Sequence, residues 1–109
     1  MEWSNKRANE LLREKVALLV NKLVEFPDGL ITITYVDLSG EGHSAEIGIS
    51  VLPTNLRGTA LRQLRKKSAV IAQTASKQSR LSRVPQITWQ IDDTEERAAL
   101  LDRAIQQLD

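Results

Sequence analysis

Residues 30–51 read LITITYVDLSGEGHSAEIGISV, and the reading of that stretch decides the fold. Leu30–Leu38 is dense in side chains that suit a pleated, half-buried surface: Ile31, Thr32, Ile33, Thr34, Tyr35 and Val36. Ser39-Gly40-Glu41-Gly42-His43 follows as a polar, glycine-bearing loop. Ala45, Ile47, Ile49 and Val51 then alternate strictly with Glu46, Gly48 and Ser50. Such alternation places one face of a strand in a core and the other outside it. The stretch is therefore predicted to be a β-hairpin with one buried face.

Outward from the hairpin, helical periodicity appears on both sides. Leu12, Val16, Leu19, Leu23 and Phe26 recur at spacings of three and four, predicting a helix over 4–25. Ser4 or Asn5 is its candidate N-cap, Trp3 its candidate staple, and Pro27-Asp28-Gly29 its terminator. After the hairpin, Pro53 closes the second strand, and Thr54 or Asn55 can cap what comes next. Residues 56–83 have helical composition, with Leu61, Leu64, Ser68 and Ile71 on one stripe and Arg62, Arg65 and Lys66 on another. The stripe thins into Ala72, Ala75 and Ser76, so two short helices meeting near residues 67–72 are predicted, the second ended by Pro85. Ile87, Trp89 and Ile91 alternate as a third strand. Asp93 and Glu96 have the spacing of a capping box for a last amphipathic helix over 94–108, carried by Ala98, Leu101, Ile105 and Leu108. The predicted order is α-β-β-α-α-β-α, an α+β domain spanning residues 1–109 with a three-stranded sheet covered on one face by helices.

Charge is segregated along this chain. Residues 1–46 carry five Lys/Arg against eight Asp/Glu, and residues 92–109 carry two against six. Residues 47–91 carry eight, namely Arg57, Arg62, Arg65, Lys66, Lys67, Lys77, Arg80 and Arg83, with no acid among them. A one-signed surface of that kind attracts a polyanion such as a phosphate backbone. The absence of cysteine excludes disulfides and thiolate metal sites and fits a reducing cytosol. The polar N-terminus is not a signal peptide, and no apolar run is long enough to span a membrane.

Three segments carry a resemblance to a known family. They are Thr32-Ile33-Thr34-Tyr35-Val36-Asp37-Leu38-Ser39 with Ala45; Leu64-Arg65-Lys66-Lys67-Ser68-Ala69-Val70-Ile71; and Arg80-Leu81-Ser82-Arg83-Val84-Pro85-Gln86-Ile87-Thr88-Trp89. In order and spacing they resemble the ribosome-binding factor A family, whose fold is a type II KH domain. The resemblance implies a factor of small-subunit assembly that binds 16S ribosomal RNA within the immature 30S subunit, as a monomer in the cytoplasm. It implies no small-molecule substrate, cofactor, metal or membrane. The family's Ala-x-Gly kink between its two central helices would fall on Lys67-Ser68-Ala69, where both signature residues are changed.

The candidate RNA-binding residues are Arg57, Arg62, Arg65, Lys66, Lys67, Ser68, Ala69, Lys77, Arg80 and Arg83. Helical spacings of three and four put cations on one rigid face, as phosphate recognition requires. Kinked helices would add main-chain N–H donors near Ser68. Residues 54–83 contain no Phe, Tyr or Trp, so recognition of backbone and shape is expected rather than base stacking. Arg83 has a competing structural role, its stem packing beside Pro85.

The remaining features read as structural. His43 is a single loop histidine with no ligand set around it. Asp92, Asp93, Glu95 and Glu96 suit a helix start, and Trp89 suits the core. Ser39-Gly40-Glu41-Gly42 lacks the following lysine and helix of a phosphate loop. No nucleophile–base pair or metal cluster points to an enzyme. The alternative to an RNA binder is a protein–protein module that docks an acidic partner on its basic helical face.

Overall fold

In the computed structural model, which describes the backbone of residues 2–108 and the side chains of residues 6–108, the hairpin is the centre of the molecule. Strand β1 spans Leu30–Leu38 and β2 spans Ser44–Leu52, paired antiparallel. A third strand, β3 (Gln86–Ile91), adds parallel to β2, giving the order β1-β2-β3. Helix α1 (Glu2–Leu23) precedes the hairpin. The helical stretch after it comes in two pieces, a 3-10 turn at Thr54–Leu56 and α2 (Arg57–Gln78), and α3 (Thr94–Gln106) follows β3. Among the described residues, no helix is long and apolar enough to cross a membrane.

A β-bulge in β1 sets the buried face. The register slips between Ile33 and Tyr35, with Ile33 opposite Ile49 and Tyr35 opposite Gly48. Strict alternation would send Val36 and Leu38 to the opposite face from Ile31 and Ile33. The extra residue, Thr34, instead puts Val36 opposite Ile47 and Leu38 opposite Ala45, all on the core side. Ala45, Ile47, Ile49 and Val51 of β2 and Trp89 of β3 complete that face. It is covered by Leu12, Val16, Leu19 and Val20 of α1 and by Ala60, Leu64, Ile71 and Ala75 of α2.

On the other face Tyr35 lies over Gly48. A Cβ at Gly48 would fall 2.0 Å from the ring, so only glycine admits this packing, and β2 is buried there on both faces. The Tyr35 hydroxyl donates to Glu46 Oε2 at 2.7 Å. Burial, followed by that bond to an anion, pushes the phenol up to about 12.

Several local expectations are corrected. No break occurs near Ser68: α2 runs unbroken through residues 67–72. The reason is its buried seam, in which Ala60, Leu64, Ile71, Ala72, Ala75 and Ser76 keep helical spacing from end to end. Ser68 is also occupied, since its Oγ accepts the indole N–H of the buried Trp89 at 3.0 Å. The join between the two helical pieces falls at Leu56, without a side-chain cap from Thr54 or Asn55. Nor does Pro85 end α2. The helix stops at Gln78 in a Schellman arrangement, with Leu81 N–H bonded to Ser76 O and Arg80 N–H to Lys77 O. Arg80 holds the left-handed position usual for glycine, φ 57°.

At the start of α3, Asp93 makes no side-chain cap. Asp92 takes that role, accepting the Thr94 N–H at 3.1 Å, and the hydrogen bonds from Thr94 and Thr34 lower its carboxyl below the usual range. Glu96, the would-be box partner, pairs with Arg57 instead. α1 begins at Glu2, ahead of both proposed caps, and the Trp3, Ser4 and Asn5 side chains lie outside the described residues.

The last helix has the predicted pattern but not the expected burial. Leu100, Leu101, Ile105 and Leu108 are all more than half exposed, and α3 contributes nothing to the buried core.

Candidate nucleic-acid interface

The basic run folds into two geometrically distinct parts. Arg62, Arg65, Lys66, Lys67 and Lys77 stand exposed on α2. Their positions follow from the helix, whose opposite stripe is the buried seam. Arg80 and Arg83 lie beyond the helix end, in the segment that leads to β3. Lys77, Arg80 and Arg83 recur every three residues but do not line up along one helix, because the Schellman turn redirects the chain after Gln78.

Within α2 the cations do not share one line. Residues two apart on a helix are separated by about 200° around the axis. Lys67 therefore points away from Arg65, whereas Arg62, Lys66 and Lys77 occupy the outward crest. Among the described residues none of Arg62, Arg65, Lys66, Lys67, Lys77 or Arg80 is paired with a carboxylate. Arg62 reaches only the Thr59 hydroxyl, at 3.2 Å. Their charge faces solvent uncompensated.

Arg57 is different. Its guanidinium pairs with Glu96 of α3, and its Nε is buried without a hydrogen-bond partner. It belongs to the joint between α2 and α3 more than to the open basic face.

Beside α2 runs an open groove of about 560 Å³, between the helix and the segment entering β3. Arg65, Ser68, Ala69 and Gln73 form its helical wall, and Val84, Pro85 and Ile87 the opposite one. Ser68 and Ala69 thus do sit at a cleft, although no kink is present. Since the helix is continuous there, its N–H groups are engaged in the ladder and the expected main-chain donors do not exist.

His43 closes one end of this groove, and sequence reasoning missed it. The β2–β3 register places Ser44 opposite Gln86, and the Gln86 N–H bonds to His43 O at 3.0 Å. The hairpin loop is thereby brought beside residues 83–85. Gly42, at φ +77°, turns the loop with its Cα against the Arg83 stem. Arg83 Nη1 lies 2.8 Å from Nδ1 and 2.7 Å from Nε2 of His43, and Nε2 lies 3.3 Å from Glu41 Oε2. Only the parallel pairing of β2 with β3, invisible in local patterns, could have signalled this meeting. Arg83 therefore packs on the histidine of the loop, in addition to following the Pro85 segment.

Comparison with known proteins agrees with the fold and the motifs. The model of the family described as Ribosome-binding factor A matches residues 4–105. The Ribosome-binding factor A of Chlamydia pneumoniae is 38% identical over 92 residues, covering 81% of this chain and 77% of the relative. The crystal structure of ribosome-binding factor A from Thermus thermophilus superposes with a TM-score of 0.72 at 20% identity, over 80% of this chain and 94% of that one. A Thermus thermophilus homology model fitted into a cryo-EM map of a 30S–RbfA complex gives 0.66 at 21% identity, over 78% and 91%. The three-helix, three-strand α+β arrangement is thus the type II KH-like one. With most of its length matched by the family and more than a third of the aligned residues shared with a relative, this chain belongs to the ribosome-binding factor A family.

Proposed function

We propose that this protein is an assembly factor of the small ribosomal subunit that binds 16S ribosomal RNA in the immature 30S particle and assists its maturation. One observation carries the RNA-binding reading. Residues 47–91 hold eight cations and no acid, and Arg62, Arg65, Lys66 and Lys77 rise from a single rigid helix without carboxylate partners. Rigid, uncompensated cations suit phosphates, which fix register and orientation on RNA. Family membership and a relative seen in a 30S complex supply the ribosome and, with it, a cytoplasmic setting.

The mode is recognition of backbone and shape. Arg65 lines the groove beside Ser68 and Ala69, Arg83 touches His43 at its end, and no Phe, Tyr or Trp lies between residues 54 and 83 to stack bases. Lys67 and Arg80 lie to the sides and extend the field rather than the contact. Arg57 joins only if its pair with Glu96 opens. Roughly four or five phosphate contacts give a fall of log K with log salt of slope about −3 to −4. Equilibrium binding to purified 16S ribosomal RNA over roughly 50 to 300 mM salt tests this. A slope near zero would reject the phosphate reading, and binding to an acidic protein but not to RNA would move the function to protein docking.

A further inference from the structure

We propose that His43 is a phosphate ligand at the end of the α2 groove whose contact with RNA takes up a proton. The inference rests on the RNA-binding reading above and adds to it a residue and a linkage. His43 lines the same groove as Arg65 and its ring touches Arg83, so an anion at His43 would meet a cation from α2 and one from the segment before β3.

The groups facing the ring set its chemistry. Arg83 from the segment before β3 places Nη1 2.8 Å from Nδ1 and 2.7 Å from Nε2, so a permanent positive charge lies against the ring. Arg65 on α2 adds a second positive charge across the groove. Among the described residues Glu41, from the loop itself, is the anion facing the ring, 3.3 Å from Nε2. A phosphate entering the groove at His43 brings a negative charge to the ring. An anion beside an imidazole favours the imidazolium, which donates from both nitrogens.

Binding and protonation then reinforce each other, and the coupling is reciprocal. If the bound state holds an extra proton, affinity rises as pH falls through the range in which imidazoles titrate and declines above it. One proton bounds the effect at tenfold per pH unit, and an exposed site beside two arginines is expected to give roughly three- to tenfold in all between pH 7.5 and 5.5.

The test is binding of the full chain to purified 16S ribosomal RNA at about pH 5.5, 6.5 and 7.5 at constant salt. The wild type is expected to tighten by that factor on acidification. His43→Gln is expected to be flat, at the weak level, and His43→Arg flat at the tight level. His43 is exposed in a loop, so circular dichroism is expected to show both variants folded. Equal pH dependence in wild type and His43→Gln, or a flat wild-type profile with RNA still bound, would overturn the histidine contact and leave the RNA reading intact. Failure of the wild type to bind RNA at any pH would remove both.

Discussion

Ser68 shows how one residue can read one way in sequence and act another way in the fold. A serine among lysines in a small-residue helix suggests a cap or a kink. Here its oxygen instead satisfies the indole of Trp89, which packs at 7% exposure on β3 and has no other way to donate. Ser68→Ala would strand that N–H, at a cost of about 1–2 kcal/mol. Urea titration is expected to show an unchanged slope and a lowered midpoint. A midpoint equal to wild type would mean that the indole finds another acceptor. Arg80 makes a related point about position: it sits at the left-handed C′ site where glycine is normal, so the chain there keeps a cation where backbone preference alone would not place one. Neither role has a local signature. Both depend on partners that the fold brings from elsewhere.

At the scale of elements, periodicity and propensity were enough for the three strands, the hairpin and the existence of every helix. Their boundaries moved by only a few residues except at the C-terminal end of α2. The misreading of α2 has a physical cause. A seam of Ala60, Ala72, Ala75 and Ser76 has weak hydrophobic contrast, yet small side chains let a helix approach a sheet closely, so the thin pattern marked tight packing and not a break. The bulge in β1 was hidden for the opposite reason, because Ile31, Ile33 and Tyr35 alternate in sequence as if no residue were inserted at Thr34. That bulge turns Tyr35 outward over Gly48 and beside Glu46, with a testable result in pH. The folded protein holds the phenol protonated to about 12, against 10.0 ordinarily. The native state therefore binds more protons than the unfolded chain between those values. The stability it contributes is complete below about pH 10 and is lost as pH rises toward 12. Tyr35→Phe is expected to flatten the decline of the urea midpoint between about pH 9.5 and 11. An identical decline in the variant would assign it to other groups. Helix α3 offers a second contrast. Leu101→Ala and Ile105→Ala, on exposed positions, are expected to shift stability by less than about 0.5 kcal/mol. Leu64→Ala, fully buried on α2, is expected to cost about 2–5 kcal/mol by chemical denaturation.

On the whole molecule, the charge boundaries seen along the chain become spatial. The radius of gyration is 15.7 Å, above the roughly 13 Å of a compact domain of about this size, in keeping with an acidic last helix that does not join the core. The basic face of α2 and its groove carry the opposite sign of charge. The sign of this face was legible in composition. The groove was not, because it is made where the hairpin loop, α2 and the entry to β3 meet, and no stretch of sequence contains all three. The central claim is that the α2 face carries binding to the small subunit, and the most direct measurement is cosedimentation with purified 30S particles. The wild-type protein is expected to travel with them, while Arg65→Glu combined with Lys66→Glu binds about tenfold more weakly or worse at an unchanged thermal midpoint. A double variant that remains folded and cosediments as the wild type does would contradict the account.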